Sequence, residues 1–278
     1  MINIKQALAD GEILVGPFAV SGSPGVVETI GYAGFDFAII DTEHAPISPY
    51  GSELENLIRT AWSADLAPIV RVTWNDRGQI LKAMDMGASA VVVPHVNTAE
   101  EAAAAVSAAF YAPKGRRSAA PPTLGSHRGF IDWATYHKHC LENTLVFPLI
   151  EEYEAVENIE EIAAVPGVGG IFFGPFDLAV AMGKPASAFE PDVPEERERV
   201  YAAAKANGLP IADLAWNVPS ALEKIKMGAQ LIALGTDVTV LANALRGLLS
   251  EINDVKKAVA ELPKLASSSV KPTADASA

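Results

Sequence analysis

Apolar runs of strand length recur along the chain and alternate with segments in which apolar residues follow a helical spacing. Each run is rich in β-branched or aromatic residues and lies between glycine, proline or polar residues, a pattern typical of buried strands. Eight strands are predicted, over residues 14–20, 35–41, 67–72, 90–96, 143–151, 169–175, 209–215 and 230–237. The helical segments between them include residues 52–62, 76–87, 99–110 and 218–228.

This alternation of strands and helices predicts the fold class. Because the strands are apolar on both faces, helices must cover both sides of a parallel sheet. Eight strand–helix units in about 240 residues favour an α/β fold of the (β/α)8 TIM barrel type, with an open doubly wound sheet as the alternative. The chain has no GxGxxG segment after the first strand and no GxxxxGK[ST] segment. The dinucleotide-binding and P-loop versions of the open sheet therefore lose support.

Turn residues and composition set the predicted boundaries. Residues 1–262 are predicted to form one barrel domain that ends in an extended C-terminal helix, and residues 263–278 have the composition of a disordered tail. The final helix either covers its own barrel or packs on a neighbouring subunit, and the sequence leaves both open. Ser48 and Pro49 are the predicted N-cap and first residue of one helix. The long connection 112–142 is predicted to carry a short helix and to cover the mouth of the barrel.

The charge balance and the cysteine content exclude some partners. Thirty-four acidic and 21 basic residues give a formal net charge of −13, which repels nucleic acid and anionic membranes, although a local basic pocket can still hold a small anion. No apolar run is long enough to cross a membrane, and the first residues lack the features of a signal peptide. The single cysteine, Cys140, cannot form an internal disulfide. These features predict a cytoplasmic protein without nucleic-acid or membrane partners.

Ionisable residues cluster where predicted strands end. In the stretch FDFAIIDTEHAP, residues 35–46, an apolar strand ends in Asp41, followed closely by Glu43 and His44. The active sites of α/β barrels lie at the carboxyl ends of the strands, so this cluster indicates an active site, with helix capping in a solvated loop as the alternative. Arg71 lies near the end of the strand APIVRV. A buried guanidinium needs a carboxylate partner, either from Asp41 or Glu43 or from a ligand.

Two carboxylates at neighbouring strand ends indicate a metal site. Glu151 and Asp177 are separated by about one β/α unit, so they should follow adjacent strands. Alternation along VFPLIE puts Glu151 on the same side as Phe147 and Leu149, which is predicted to face the barrel interior. Close carboxylates repel unless a cation lies between them, and their oxygens together with waters suit Mg²⁺ or Mn²⁺. A helix-capping glutamate and a solvated aspartate are the alternative.

Two further features concern how a carbonyl substrate would be held and activated. In GGIFFGPFD, Gly174 and Pro175 are predicted to form a turn at the start of a helix, where the amides of Phe176 and Asp177 can bind a carboxylate. The twelve lysines all fall outside the predicted strands. A Schiff-base aldolase needs a buried lysine on a strand, so activation of the carbonyl by a metal is favoured over activation by an imine.

Taken together, these segments resemble the HpcH/HpaI aldolase and citrate lyase family, in particular its metal-dependent, pyruvate-specific class II aldolases. The resemblance runs from about residue 14 to residue 245 and rests on DxEHxP, VRxxWND, IE, GPxDL before MG, and GTD, in the order of the family. It implies a (β/α)8 barrel. It also implies a homo-oligomer, a hexamer arranged as a trimer of dimers, in which the last helix is exchanged between subunits.

The resemblance also assigns residues to the metal and the substrate. It implies a divalent ion, Mg²⁺, Mn²⁺ or Co²⁺, held by Glu151 and Asp177, and no organic cofactor. Arg71 corresponds to the essential arginine of the family. Arg117 corresponds to the arginine of a GxRG-like segment that supports the site, but the sequence GRRSAAPP departs from that pattern. The specificity for the aldehyde is therefore not carried over.

The predicted function is reversible cleavage of 4-hydroxy-2-oxoacids to pyruvate and an aldehyde through a metal-stabilised pyruvate enolate. Arg71 would hydrogen-bond the enolate oxygen. The residue matching the family's histidine, His44, supported by Asp85, would accept the hydroxyl proton. Asp41 and Glu43 would orient these groups. The alternatives are a related lyase or condensing enzyme that acts on oxaloacetate, a phosphosugar isomerase, and a non-catalytic binding protein.

Overall fold

The computed structural model describes residues 1–184 and 193–261, with side chains through residue 258. Its eight parallel strands form a closed barrel in sequence order, with β8 pairing back to β1. The strands are Leu14–Ala19 (β1), Phe37–Asp41 (β2), Ala67–Arg71 (β3), Ala90–Val93 (β4), Leu145–Ile150 (β5), Ile171–Phe173 (β6), Ile211–Ala215 (β7) and Leu231–Thr236 (β8). Each lies within three residues of its predicted bounds. The predicted (β/α)8 TIM barrel is therefore confirmed, and the open sheet was the wrong alternative.

Helices alternate with the strands along the chain. Those in the described residues are Ile4–Ala9 (α1), Pro24–Tyr32 (α2), Ser52–Ser63 (α3), Arg77–Asp85 (α4), Ala99–Ala109 (α5), Trp133–Asn143 (α6), Tyr153–Glu157 (α7), Ile159–Ala163 (α8), Pro175–Ala181 (α9), Pro194–Ala206 (α10), Val218–Met227 (α11) and Asp237–Glu261 (α12). In α3, Leu54, Leu57, Ile58 and Ala61 are buried at helical spacing, as expected for a helix that covers a sheet. Within the described ranges, none of the helices has both the length and the apolar composition needed to cross a bilayer.

Most buried apolar side chains belong to one of two layers, inside and outside the barrel wall. The inner layer fills the barrel and includes Phe37 and Phe147, whereas the outer layer lies between the strands and the helices. Ile4 and Leu8 of α1 belong to the inner layer together with Leu14, which begins β1. The helix α1 therefore closes the amino end of the barrel. The carboxyl end, where the strands finish, is left for the site.

Strand register determines which side chains meet at the carboxyl end. Phe147 and Leu149 of β5 belong to the inner layer. Because side chains alternate along a strand, Glu151 follows on the interior side, as predicted. In the pairing of β2 with β3, Asp41 lies opposite Arg71. Asp41 and Arg71, the last residues of β2 and β3, therefore form an ion pair.

The predicted helix start at Ser48 and Pro49 was wrong. The helix α3 begins at Ser52, and Gly51 is its N-cap. The Ser48 hydroxyl oxygen instead accepts a hydrogen bond of 3.3 Å from the Tyr50 N–H. This serine therefore closes a local turn before the helix instead of capping it.

The prediction that residues 112–142 cover the mouth of the barrel was also wrong. This segment does contain the predicted short helix, α6, but it packs towards the amino end. The Gly125 N–H donates a 2.9 Å hydrogen bond to the Asp85 carbonyl at the end of α4. The His127 ring stacks on the Trp62 ring near the end of α3, with centroids 5.8 Å apart. The chain leaves α5 at the amino end and enters β5 at the same end, so the connection remains there.

The segment that starts at Thr239 forms a compact unit of its own and contains most of α12. The 25-residue length of α12 confirms the extended C-terminal helix. Exposed apolar residues recur along this helix at spacings of three and four; they are Leu241, Leu245, Leu248, Ile252 and Val255. The single domain over residues 1–262 stays a prediction, and the tail predicted over residues 263–278 lies outside the described residues.

Candidate active site

A buried ion pair between Asp41 and Arg71 forms one wall of the site. The Arg71 Nε and Nη2 atoms donate to the two Asp41 carboxylate oxygens over 2.9 and 2.7 Å. The Asp41 Oδ1 atom also accepts the backbone N–H groups of Glu43, at 3.0 Å, and His44, at 3.4 Å. One buried carboxylate thus fixes both the guanidinium and the loop that follows β2. The predicted orienting role of Asp41 is consistent with these contacts.

Arg71 is further held by an aromatic ring and a second carboxylate. Its guanidinium carbon lies 4.9 Å from the centroid of the Phe18 ring, and Nη1 lies 3.2 Å from Glu43 Oε2. Burial acts to lower the pKa of Arg71, but the hydrogen bonds and charge of Asp41, together with the charge of Glu43, raise it above its ordinary value. Arg71 is therefore a permanently charged donor whose position is set from several sides.

Glu151 lies at the centre of the site, directly after β5. Its side chain is buried, and its Oε1 atom accepts the His95 backbone N–H at 3.0 Å. Burial, with the nearby charges of Glu43 and Asp177, raises the pKa of Glu151 to about 7, and the bond from His95 opposes the rise. A Cβ atom at Gly174 would lie 2.8 Å from the Glu151 Cβ atom. Only glycine therefore leaves enough space for this carboxylate.

His95 lies two residues beyond β4 and has a backbone φ of 55°, in the left-handed region that β-carbon-bearing residues rarely adopt. Its Nδ1 atom lies 2.9 Å from Glu152 Oε1, and its Nε2 atom lies 3.5 Å from Glu43 Oε1. The partly exposed Trp74 ring packs on the imidazole, with centroids 4.3 Å apart. The backbone conformation thus directs both the N–H and the ring of His95 towards carboxylates.

A small cavity joins the metal and substrate candidates. It has a volume of about 60 Å³, and its lining includes Arg71, Glu151, Phe176 and Asp177. The Gly174 N–H is already used, because it donates a 2.9 Å bond to the Ile150 carbonyl. Phe176 and Asp177 lie in the first turn of α9, where N–H groups have no partner inside the helix. These two amides, together with Arg71, are the donors available for a carboxylate in the cavity.

The charges of the site fit a divalent cation. Glu43, His95 and Glu151 each offer one ligand atom, and these atoms lie within 4.8 Å of one another. The buried Glu43 Oε2 atom is ion-paired with Arg71 Nη1 at 3.2 Å but accepts no hydrogen bond, so it keeps lone pairs that a cation can use. Carboxylate oxygens suit Mg²⁺ or Mn²⁺, and an imidazole ligand favours a transition metal such as Mn²⁺ or Co²⁺ over Mg²⁺. Glu43 and His95 therefore join the predicted pair of Glu151 and Asp177 as candidate ligands.

Three of the predicted residues are not brought together within one chain. His44 is 64% exposed at the carboxyl end, and its Nε2 atom lies 4.0 Å from Glu43 Oε2. Asp85 ends α4 near the amino end, where its Oδ1 atom accepts a 2.6 Å bond from Arg117 Nη2. Arg117 is buried, with its guanidinium carbon 4.4 Å from the Tyr111 ring centroid. Among the described residues, no hydrogen bond or ion pair links His44 to Asp85.

One further carboxylate near a strand end proved to be structural. Asp213 of β7 is fully buried and accepts hydrogen bonds from Arg197 Nε at 3.1 Å and the Tyr201 hydroxyl at 2.8 Å. Both partners belong to α10, which packs outside the barrel. Asp213 thus faces away from the cavity that contains Glu151, and position near a strand end was not sufficient to identify a site residue.

Comparisons with known proteins give one family model, a curated relative and similar solved structures. The model of the HpcH/HpaI aldolase/citrate lyase family matches residues 14–244. A 5-keto-4-deoxy-D-glucarate aldolase from Salmonella arizonae is 37% identical over 238 residues, which cover 85% of this chain and 91% of that protein. An HpcH/HpaI aldolase/citrate lyase family protein from Burkholderia cenocepacia J2315 superposes with a TM-score of 0.84 at 31% identity, covering 91% of this chain and 100% of that one. The citrate synthase SbnG superposes with a TM-score of 0.83 at 29% identity, covering 92% of this chain and 100% of that one.

Proposed function

Because the chain belongs to the HpcH/HpaI aldolase/citrate lyase family, and is thus a carbon–carbon lyase, we propose that it is a divalent-metal-dependent class II pyruvate aldolase. It reversibly cleaves 4-hydroxy-2-oxoacids to pyruvate and an aldehyde. The observation that supports this function best is the convergence of ligand atoms from Glu43, His95 and Glu151 beside Arg71. We also propose a cytoplasmic location, supported by the single, unpaired cysteine.

The proposed substrate contacts use groups that line the cavity. Glu151 and Asp177, with Glu43 and His95, hold the cation, which when bound supplies the Lewis acid that polarises the keto group and favours enolate formation. Arg71 has five N–H protons, and Asp41 engages only two of its donor nitrogens, so further protons remain for the substrate. Arg71 donates to the keto oxygen as negative charge develops on it.

The carboxylate of the oxoacid is held by backbone amides. The first-turn N–H groups of Phe176 and Asp177 point out of the N-terminus of α9, where the helix dipole favours an anion. Gly174 does not offer its N–H to the substrate, because that N–H donates to the Ile150 carbonyl. Its lack of a side chain instead leaves space for Glu151. Together with Arg71, these groups would orient the substrate so that the bond between C3 and C4 breaks.

The named substrate of the Salmonella relative belongs to the proposed chemical class. Counted from its keto end, 5-keto-4-deoxy-D-glucarate is a 2-oxoacid with a methylene group at C3 and a hydroxyl group at C4. Keto-deoxy sugar diacids are therefore the first substrates to test, by coupled detection of pyruvate. We expect pyruvate from at least one 4-hydroxy-2-oxoacid. No pyruvate from a panel of such acids, with and without added metal, would contradict the proposal.

A second function has some support, because the citrate synthase SbnG shares the fold at 29% identity. This alternative is a related lyase or condensing enzyme that acts on oxaloacetate. Comparing turnover of oxaloacetate with turnover of keto-deoxy sugar diacids separates the two functions. Faster use of the hydroxylated substrates supports the aldolase, and use of oxaloacetate alone supports the alternative.

We further propose that the complete site needs a second copy of the chain. Asp85 and Arg117 lie near the amino end of their own barrel, far along α4 from the loop that contains His44. Asp85 can therefore support His44 only from a neighbouring chain. The exposed apolar stripe of α12 is a suitable surface for association. The hexamer implied by the family resemblance is the proposed assembly.

His44 is proposed to accept the C4 hydroxyl proton during cleavage. We expect His44→Ala to lower the cleavage rate by about 10²–10⁴-fold, the usual contribution of general acid–base catalysis. Exchange of the pyruvate methyl protons with deuterium, followed by NMR, should fall much less, because that step does not involve the C4 hydroxyl. His139→Ala, which replaces an exposed histidine on α6, is the matched control. Equal losses in cleavage and exchange would contradict this role.

Coexpression tests whether His44 and Asp85 act from different copies. Chains with His44→Ala and chains with Asp85→Asn should each have low activity alone. In mixed assemblies, some sites would combine an intact His44 with an intact Asp85 from the neighbour, so activity should recover. A chain with both substitutions, coexpressed with either single variant, is the control and should not recover. Mixed assemblies no more active than the separate variants would contradict the arrangement.

A further inference from the structure

A second cavity opens at the amino end of the barrel, opposite the end that contains Glu151. It has a volume of about 550 Å³, within the usual range for small-molecule sites. Its walls come from α1 and from the segments that lead into β5, β6, β7 and β8. Three lysines, Lys5, Lys114 and Lys205, are part of the lining, and no Asp or Glu of the described residues is.

The three ammonium groups come from separate parts of the chain. Lys5 belongs to α1, Lys114 follows α5, and Lys205 lies in the last turn of α10. In a chain with a formal charge of −13, three cations without an acidic neighbour in the same lining form a local region of positive potential. Such a region attracts small anions while the remaining surface repels them.

The present contacts of these lysines leave donors unused. Lys114 Nζ donates to the Leu141 carbonyl over 2.7 Å, and Lys205 Nζ donates to the Met227 carbonyl over 2.5 Å. An ammonium group carries three protons, so two remain on each of these side chains. Both carbonyls lie near the C-terminal ends of helices, where carbonyl groups lack partners inside the helix, so one bond from each lysine has a structural role. The position of the lysines around one cavity has no such explanation.

The electrostatics of Lys5 indicate that positive charge in the cavity is incompletely balanced. Burial is the largest cause of the lowered pKa of Lys5, and repulsion from Lys114 lowers this pKa further. The charge of Glu142 offsets part of the effect. A bound anion would remove this repulsion. It would also accept the unused protons of Lys114 and Lys205 in charge-assisted hydrogen bonds, which are stronger than bonds between neutral groups.

We propose that this cavity binds a small anion with at least two negative charges, such as a phosphate or polycarboxylate metabolite. The anion lies between Lys5, Lys114 and Lys205 and links α1 to the segments that enter the second half of the barrel. Because the barrel core separates this cavity from Glu151 and Arg71, the anion does not compete with the oxoacid substrate. The inference is independent of the proposed aldolase reaction.

Calorimetric titration of the full-length protein at low ionic strength tests this site. The two probes are inorganic phosphate and tricarballylate, a tricarboxylate, so that their relative affinities identify the anion class. We expect Lys5→Ala/Lys114→Ala to weaken binding of the preferred probe by about tenfold or more. The control Lys82→Ala/Lys257→Ala removes the same charge from exposed positions outside the lining and should retain wild-type affinity.

Several results would overturn the proposal. They are no binding of either probe to the wild-type protein, equal weakening in the two double variants, and displacement of the probe by pyruvate with Mg²⁺. Lys5→Gln/Lys114→Gln provides a second test if the alanine variant has a lower melting temperature than the wild type. Retained binding in a folded glutamine variant would equally overturn the proposal. Since pyruvate release is measured separately, failure of this site leaves the aldolase proposal standing.

Discussion

Excess EDTA is expected to abolish pyruvate release from a 4-hydroxy-2-oxoacid substrate, and added Mg²⁺, Mn²⁺ or Co²⁺ is expected to restore it. Ligand atoms of Glu43 and the buried Glu151 lie within 4.8 Å of each other, and Asp177 lines the same cavity as Glu151. Burial raises the pKa of Glu151 to about 7, and repulsion from the charges of Glu43 and Asp177 adds to the rise. A cation between these carboxylates would relieve that repulsion. No lysine occurs in the eight strands, so an imine cannot replace the metal in polarising the keto group.

The chelation assay requires a control for direct effects of EDTA. The same concentration of EDTA, saturated beforehand with Mg²⁺, should leave pyruvate release unchanged. The release is measured continuously with a coupled pyruvate assay, and the coupling enzyme is checked separately in each buffer. Full activity in excess free EDTA, maintained after prolonged incubation, would contradict metal dependence. Another group would then have to polarise the keto group.

Arg71→Ala is expected to lower kcat by about 10²–10³-fold, the usual loss when one preorganised donor to a developing oxyanion is removed. The geometry explains the size of the effect. Asp41 holds the guanidinium through two hydrogen bonds, and the Phe18 ring lies 4.9 Å away, so Arg71 needs little reorganisation as charge develops. The loss should appear in kcat as well as in kcat/KM, because the bond strengthens in the transition state.

Arg71 also partners a buried carboxylate, so folding must be monitored. Removing one member of a buried ion pair destabilises a protein by about 3–5 kcal/mol. Arg71→Lys keeps the charge but loses the bidentate hydrogen bond to Asp41. This variant should be more stable than Arg71→Ala, and its kcat should still be far below that of the wild type. Arg59→Ala, at an exposed arginine on α3 paired with Glu55, should leave kcat unchanged. Wild-type turnover in a folded Arg71→Ala protein would remove Arg71 from the mechanism.

The sequence predicted the parts of the site that depend on strand register. Asp41 and Arg71 end neighbouring strands, and Glu151 follows the alternation of Phe147 and Leu149. Two simple rules, the period of a strand and the location of barrel sites at the carboxyl end, were enough to bring these residues together. Glu43 was predicted to orient other groups. Its side chain also supplies one of three converging ligand atoms, which makes it a candidate ligand as well.

The remaining site residues depend on loop conformation, which the sequence does not encode in a regular pattern. His95 reaches Glu151 and Glu152 because its φ is 55°, and no residue type other than glycine signals such a conformation reliably. Trp74 contacts His95 from another loop, and Asn97 donates a 3.0 Å bond to Glu152. Each lies a few residues beyond a strand, and position was the only signal that could have identified them.

The position of Asp85 illustrates a different limit. Periodicity predicted its helix. Because Asp85 is the last residue of α4, it lies near the amino end of the barrel, away from His44 of the same chain. Pairing with His44 therefore depends on contacts between chains, about which the sequence of one chain carries little information. The location of residues 112–142 near the amino end follows from the same rule, since both neighbouring elements have their ends there.

Titration with Mn²⁺, followed by the electron paramagnetic resonance signal of the free ion, tests the metal site most directly. We predict that the wild-type protein binds one Mn²⁺ per chain and that Glu151→Gln loses this binding together with pyruvate release. Glu160→Gln, an equivalent change at an exposed glutamate paired with Arg199, should bind Mn²⁺ as the wild type does. Unchanged Mn²⁺ binding in folded Glu151→Gln would show that the cation lies elsewhere.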